Sequence, residues 1–410
     1  MSANLNAEAI GASRQIRCTI TVLVFKAAYM KLLRLPRAKV RLGMPLPWNV
    51  RDEQGHLLLS RGHVVESEHQ LESLLLRGAF VDAQEARAVE HQEDPVIKQR
   101  PSPAPNLFSL WDKSADEMRK LMIDAPAAPR LVQRVGEFAA WLIELVDKDV
   151  DIALYRSVRQ ESQDTFFYGF NHSVHTAVLC LLMARRLHWP EPRMMSLVKA
   201  AITMNMSTLE LQGQMADQDV PMKDSQKKVI RRHPQDAADW LTQAGVTDAD
   251  WLVAVAQHHE RPDGSGYPLG IAHVADIAVA LRVTDVFMAK ISPRKLRPSL
   301  SVQEAAKQLF REDQGGPMSN AIIKEFGIFP PGELVKLASG ETGVVMRRTD
   351  NVKCPIVAAI TDSAGRTTVH TLQRDTAKPE YAIVGTVADK SQVARMPPER
   401  IYGYASVSLS

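Results

Sequence analysis

The chain has 410 residues, enough for two or three domains that each bury a core. With 45% hydrophobic and 24% charged residues it reads as an ordinary soluble globular protein. Its 50 basic and 47 acidic side chains nearly balance at a formal net charge of +3, which excludes a global electrostatic footprint for a nucleic acid polymer, so any anion site is local.

At the start, the apolar run in "RCTITVLVFKAAYMKLL" ends at Lys26, too short to span a bilayer. No membrane span is expected. Strand-like alternation begins abruptly at Met30, whereas residues 1–29 have no clear period. Residues 1–29 therefore read as a leader, with the natural start either at Met1 or at Met30, in the latter case leaving the leader untranslated. Cys18, Cys180 and Cys354 are scattered, without CxxC spacing, which fits a reducing, cytoplasmic location rather than a disulfide framework.

Residues 30–94 read as a small β-rich module of short apolar runs cut by turn signals, such as "VRLGMPLPWNV" and "RDEQGHLLLS". "SEHQLESLLLRG" closes it as a helix that starts at Ser67 to His69 and ends at Gly78. Residues 95–107 form a Pro-rich linker, since "EDPVIKQRPSPAPN" carries four prolines in fourteen residues.

From 108 to 330 the period is helical. Leu131, Val135, Phe138, Leu142 and Leu145 share one stripe, with Pro129 near the first turn. Further helices run through "NHSVHTAVLCLLMARRL", "MMSLVKAAITMNM", "QKKVIRRHPQDAADWLTQAG", "DADWLVAVAQHHE" and "IAVALRVTDVFMAKI". Residues 331–410 return to alternating β-branched runs and form a C-terminal β subdomain with a tail of little pattern. The fold class is mainly α: a helical core flanked by two smaller β units.

His172 lies near a helix start, His233 within a helix, His258 and His259 at a helix end, and Asp285 on another helix. Imidazole and carboxylate are natural ligands for Fe, Mn or Zn, and a helical bundle can project them into a shared interior. Consecutive histidines at a helix end cannot share a face, so His258 and His259 have different tasks. Gly264 and Gly266 permit close backbone approach, and Pro268 stiffens the exit.

"HHERPDGSGYP", residues 258–268, resembles the HHExxDGxGYP signature of the HD-GYP family at eight fixed positions. These are bacterial metal-dependent phosphodiesterases, hydrolases of the second messenger cyclic di-GMP. "NHSVHTAVL", "RRHPQDAADWL", "RVTDVFMAKISPRKLRP" and "FGIFPPGELVKLASGETGVV" resemble other family segments in order, so the likeness covers about residues 130–350. It implies an all-helical HD-type bundle core. It also implies a metal site at His172, His233, His258, His259 and Asp285. Substrate contacts would come from Asp263, Gly264, Gly266 and a basic loop of Arg294, Lys295 and Arg297, which can meet nucleotide phosphates. Tyr267 and Pro268 would be exposed anchors for diguanylate cyclase (GGDEF) domains.

One family segment departs. Where the pattern has "HDIGK", this chain has "MNMST": Met204 replaces the histidine, Asn205 the aspartate and Thr208 the lysine, and Ser207 stands before it. A bridging aspartate offers two anionic oxygens between ions, whereas asparagine offers a neutral carbonyl and methionine a soft thioether suited to Cu(I). Glu210 and Asp217 do not fall at the matching position, and Met288 stands where a second late aspartate is frequent. The resemblance thus implies a degenerate member holding a single divalent ion, Fe or Mn, or none. It would be a catalytically impaired regulator or interaction module in cyclic di-GMP signalling. The alternative is an active phosphodiesterase with a reduced metal site. A third reading makes the helical core purely structural and leaves recognition to the N-terminal module. On packing grounds alone, His175 caps polar surface, Asn171 and Ser173 start a helix, and Met204 and Met206 fill core.

Overall fold

The computed structural model describes residues 32–65, 68–76, 78–90, 106–123, 125, 130–160, 165–387 and 396–403. The expected leader at 1–29, Met30, Cys18, Ser67, Pro129 and all of the 95–107 linker except its last two residues lie outside them.

Four short strands, β1 (Leu32–Arg34), β2 (Val50–Arg51), β3 (Leu57–Leu59) and β4 (Phe80–Asp82), form an antiparallel sheet in the order β1-β4-β2-β3. Helix α1 (Glu68–Leu76) precedes β4, and α2 (Ala83–Glu90) follows it. Gly78 turns the chain between α1 and β4 at φ 74°, a left-handed conformation that glycine adopts without steric cost. The strands are shorter than the apolar runs implied. In "VRLGMPLPWNV" only Val50 enters a named strand, because two prolines lack the N–H that a ladder requires. Trp48, Val50, Leu58, Leu71, Leu74 and Val81 bury a core separate from that of the helices.

The helical domain comprises α3 (Leu107–Met122), α4 (Leu131–Lys148), α5 (Val150–Arg159), α6 (Tyr168–Arg186), α7 (Glu191–Thr203), α8 (Leu209–Asp217), α9 (Asp224–Gln243), α10 (Ala249–Gln257), α11 (Asp276–Ile291), α12 (Val302–Glu312) and α13 (Pro317–Phe326). The five-residue stripe of α4 is buried as expected. Helix α6 is buried on nearly all sides and packs on α3, α4, α7, α8, α11 and α13; all-round burial explains why its sequence lacks an amphipathic period. A Cβ on Gly169 would meet the Leu209 carbonyl oxygen at 2.6 Å, so glycine lets α6 and α8 approach. Because α6 begins at Tyr168, Asn171 and Ser173 lie inside it rather than starting it, and His172 sits in its second turn.

Strands β5 (Leu334–Leu337), β6 (Thr342–Arg347), β7 (Ile356–Thr361), β8 (Thr367–Asp375) and β9 (Ile383–Thr386) form a second antiparallel sheet in the order β8-β7-β6-β5-β9. Arg348 fastens it to the helices, reaching Asp151 on α5 and Glu325 on α13. Among the described residues, no helix is long and apolar enough to cross a membrane. Cys180 and Cys354 are free, and burial pushes the Cys180 thiol up to about 12.

Candidate metal centre

Two helices, α9 and the C-terminal end of α10, deliver three imidazoles to one point. The ligating atoms of His233, His258 and His259 all lie within 4.8 Å of one another. The rings of His233 and His258 are each oriented by a local backbone feature.

His233 precedes Pro234 inside α9. Proline has no N–H, so the carbonyl four residues back, that of Ile230, loses its helical donor. His233 Nδ1 lies 2.6 Å from that oxygen and supplies the missing hydrogen bond. His258 caps the C-terminus of α10, where the last carbonyls have no helical donor. Its Nδ1 donates to the Val255 carbonyl at 2.7 Å. A carbonyl can only accept, so both rings carry their proton on Nδ1 when neutral.

Both Nε2 lone pairs are therefore left facing the shared space, 3.1 Å apart. Burial, with His258 adding to it, lowers His233 to about 3; burial likewise lowers His258 and takes His259 well below its ordinary value. Two neutral acceptors at that separation have no hydrogen between them, and a cation supplies what both lack. The donor set fits a divalent metal.

The turn after α7 packs against this group. The Trp251 indole of α10 donates to Thr203 Oγ1 at 2.8 Å, and Ser207 Oγ to the His233 carbonyl at 3.3 Å. Met204 is fully buried and Asn205 and Thr208 nearly so. Met204 and Asn205 thus place a buried thioether and a neutral amide on this turn.

His172 and Asp285 bind each other, Nε2 to Oδ1 at 2.7 Å, across α6 and α11. Burial alone would raise the Asp285 carboxyl. The hydrogen bond from His172 and the rings of His172, His259 and His258 outweigh it and hold the group well below the usual carboxylate range. Of the five expected ligands, three converge and two form an adjoining pair.

The loop after His259 is built on Glu260, whose role sequence reasoning missed. This buried carboxylate accepts from the backbone N–H groups of Leu269 at 2.7 Å, Gly270 at 3.0 Å and Ile271 at 3.2 Å. Gly266 is forced, since a Cβ there would meet Arg261 N and Glu260 Cα at 2.4 Å. Gly264 turns at φ 73°. Asp263 accepts from Ser265 N at 2.9 Å and Ser265 Oγ at 2.6 Å, and so shapes the turn. Tyr267 and Pro268 are half-buried, not exposed anchors. The Tyr267 ring stacks on His259 with centroids 4.5 Å apart, which covers one of its faces, whereas Leu269 is 71% exposed.

Tyr168 was also missed. It lies one helical turn before His172, the spacing that would have pointed to it. Its ring stacks on His172 at 5.8 Å, and its hydroxyl accepts from Arg294 Nε at 2.8 Å. Within the basic loop, Arg294 is thus tied to the site through Tyr168. Arg297 reaches the Ala289 carbonyl, and Lys295 is exposed and anchored by its backbone N–H to Ala216.

Three imidazoles converging inside an all-helical domain form a cluster that could hold a metal ion. Residues 154–315 match the family model described as HD domain. It is 30% identical over 200 residues to cyclic di-GMP phosphodiesterase PA4108 of Pseudomonas aeruginosa, covering 48% of each chain. It is 24% identical over 202 residues to 3'3'-cGAMP-specific phosphodiesterase 1 of Vibrio cholerae, covering 48% of this chain and 44% of the relative. The chain thus spans about half the length of the curated relatives it matches. A solved structure, Bd1817, a HDG"Y"P protein from Bdellovibrio bacteriovorus, aligns with 72% of this chain and 98% of its own at 15% identity, with a TM-score of 0.45.

Proposed function

We propose that this chain is a regulator in cyclic di-GMP signalling whose HD-GYP domain holds one metal ion and binds the dinucleotide but hydrolyses it poorly or not at all. The observation that carries this reading is the pairing of an intact three-histidine cluster with Met204 and Asn205, both buried, where the family pattern has its HD ligands. Two relatives named for cyclic dinucleotide hydrolysis support the ligand class.

An ion at His233, His258 and His259, Fe or Mn, would supply Lewis-acid polarisation of a phosphoryl oxygen. The chain's own residues do the rest. Ile230 and Val255 carbonyls fix the ring tautomers, and Asp285 holds His172. Asn205 brings no negative charge to offset a second cation, and Thr208 removes a lysine. Lys295 and Arg297 offer exposed cations to the dinucleotide phosphates, and Asp263, Gly264 and Gly266 shape the facing loop. A GGDEF domain docks on that loop through exposed Leu269 rather than Tyr267. We divide the chain into the module at 30–94, the helical domain at 108–330 and the β subdomain from 331, and place it in the cytoplasm.

The second reading, an active phosphodiesterase with a reduced site, draws on the same cluster and the intact His172–Asp285 pair. Cyclic di-GMP turnover by the full chain, supplied anaerobically with Fe(II) or Mn(II) beside a His259→Ala control, separates the two. Product formation that disappears in the control selects the enzyme. Metal and dinucleotide binding without turnover selects the regulator.

A further inference from the structure

Arg294, in the loop after α11, is held through its guanidinium by a residue of another helix: its Nε donates to the Tyr168 hydroxyl of α6 at 2.8 Å. Its Cζ lies 4.9 Å from the centre of the same ring. The loop backbone is braced separately, by reciprocal hydrogen bonds between Arg294 and Arg297, both 3.1 Å, and by Lys295 N to the Ala216 carbonyl at 2.9 Å. What Tyr168 fixes is therefore the direction of the side chain, not the path of the loop.

A guanidinium is planar and carries its N–H groups in a rigid fork, so fixing Nε leaves the edge formed by Nη1 and Nη2. Two parallel N–H bonds on that edge match two oxygens of a phosphate. Among the described residues Arg294 pairs with no carboxylate, so that edge is open to a ligand. Arg297, by contrast, gives Nη2 to the Ala289 carbonyl. Tyr168 also stands at the metal centre. One turn before His172, its ring lies 6° from parallel to that imidazole with centroids 5.8 Å apart, and His172 binds Asp285 at 2.7 Å. One helix, α6, thus sets the place of the Arg294 side chain relative to the metal centre.

We propose that Tyr168 is a positioning residue whose hydroxyl aims Arg294, so that the Nη edge grips a phosphate of the cyclic dinucleotide beside the histidine cluster, a role that rests on the dinucleotide being the ligand of this domain. Arg294 joins Lys295 and Arg297 as a phosphate contact, already oriented before the ligand arrives. Ordering a free arginine on binding lowers affinity about threefold to tenfold, and the tyrosine removes that loss.

A double-mutant cycle of cyclic di-GMP affinity, measured by calorimetry on the full chain with Mn(II), tests it. Tyr168→Phe keeps the ring on His172 and removes the acceptor. It should weaken binding about threefold to tenfold, and Arg294→Ala at least about tenfold. In the Arg294→Ala background, Tyr168→Phe should change affinity by less than about twofold. A merely structural tyrosine costs the same in both backgrounds. That result, or unchanged affinity in either single variant, overturns the proposal. No cyclic di-GMP binding by the native chain sinks the proposed function by itself. In that case, or if Arg294→Ala leaves no measurable binding, the orientation is read without ligand by NMR. The Arg294 Nε–H proton, assigned by its loss in Arg294→Ala, should exchange with water more slowly in the native chain than in Tyr168→Phe, and equal exchange overturns the positioning as well.

Discussion

The Nε2 atoms of His233 and His258 face each other at 3.1 Å, with each Nδ1 committed to a backbone carbonyl of its own helix. A proline within one helix and the end of another have exposed those carbonyls. The pairing makes the histidine cluster a property of helix backbone as much as of histidine content.

Pro234 is the first place to test this. Pro234→Ala restores an N–H that competes with His233 for the Ile230 carbonyl. It should stabilise α9, since proline costs about 3 kcal/mol in a helix interior, yet weaken metal binding by about 10 to 100-fold, the usual effect of losing an orienting partner. Urea unfolding of metal-free protein and a competition titration with Mn(II) read the two effects separately. Equal or tighter metal binding in the variant would show that the ring does not depend on that carbonyl.

Met204→His with Asn205→Asp should raise the metal content above that of the native chain and raise cyclic di-GMP turnover. Two anionic oxygens and an imidazole would then stand on the turn already packed on α9 and α10. Without metal the same double variant should be less stable, because a buried, unpaired carboxylate costs several kcal/mol, about 3 or more. Metal analysis and turnover check both halves, and unchanged metal content would mean that these positions do not face the site.

His175 and His233 are both held to about 3 by burial, against an ordinary 6.5. The folded-state values are depressed, so between these limits the unfolded chain binds protons that the folded chain refuses. Their stabilising effect is complete above pH 6.5 and is lost as the pH falls towards 3. Each proton contributes a slope of about 1.4 kcal/mol per pH unit. In metal-free protein, His175→Gln should reduce the slope of unfolding free energy against pH by roughly that amount between pH 5 and 6; an unchanged slope would place the His175 titration elsewhere.

Glu260→Gln should loosen the loop from Arg261 to Ile271. Three backbone N–H groups lose their charged acceptor, at a cost of about 1.5–3 kcal/mol. The Tyr267 ring would leave His259, and the ring-current displacement of the His259 proton signals should diminish in NMR spectra. Persistence of that displacement would show that the stack holds without Glu260.

The helical core was legible in residue order, because long segments such as α4 and α9 repeat at the helical period and their ends carry local signals. The two β units were legible as units, but strand limits were not: prolines and pairing partners far along the chain set β1 to β4. The buried α6 was placed but started late, since a helix buried all round has no polar face to mark its beginning.

By itself the sequence determined which groups are present: the histidines, Asp285, the glycines that only a tight loop needs, and Met204 and Asn205. Tertiary structure decided what those groups do. It set three imidazoles on one point, joined His172 to Asp285, assigned Glu260 to backbone amides and covered Tyr267 with His259. The reason is physical. Residue type fixes donors, acceptors and charge along the chain, whereas which donor meets which acceptor depends on helices that are distant in sequence packing together.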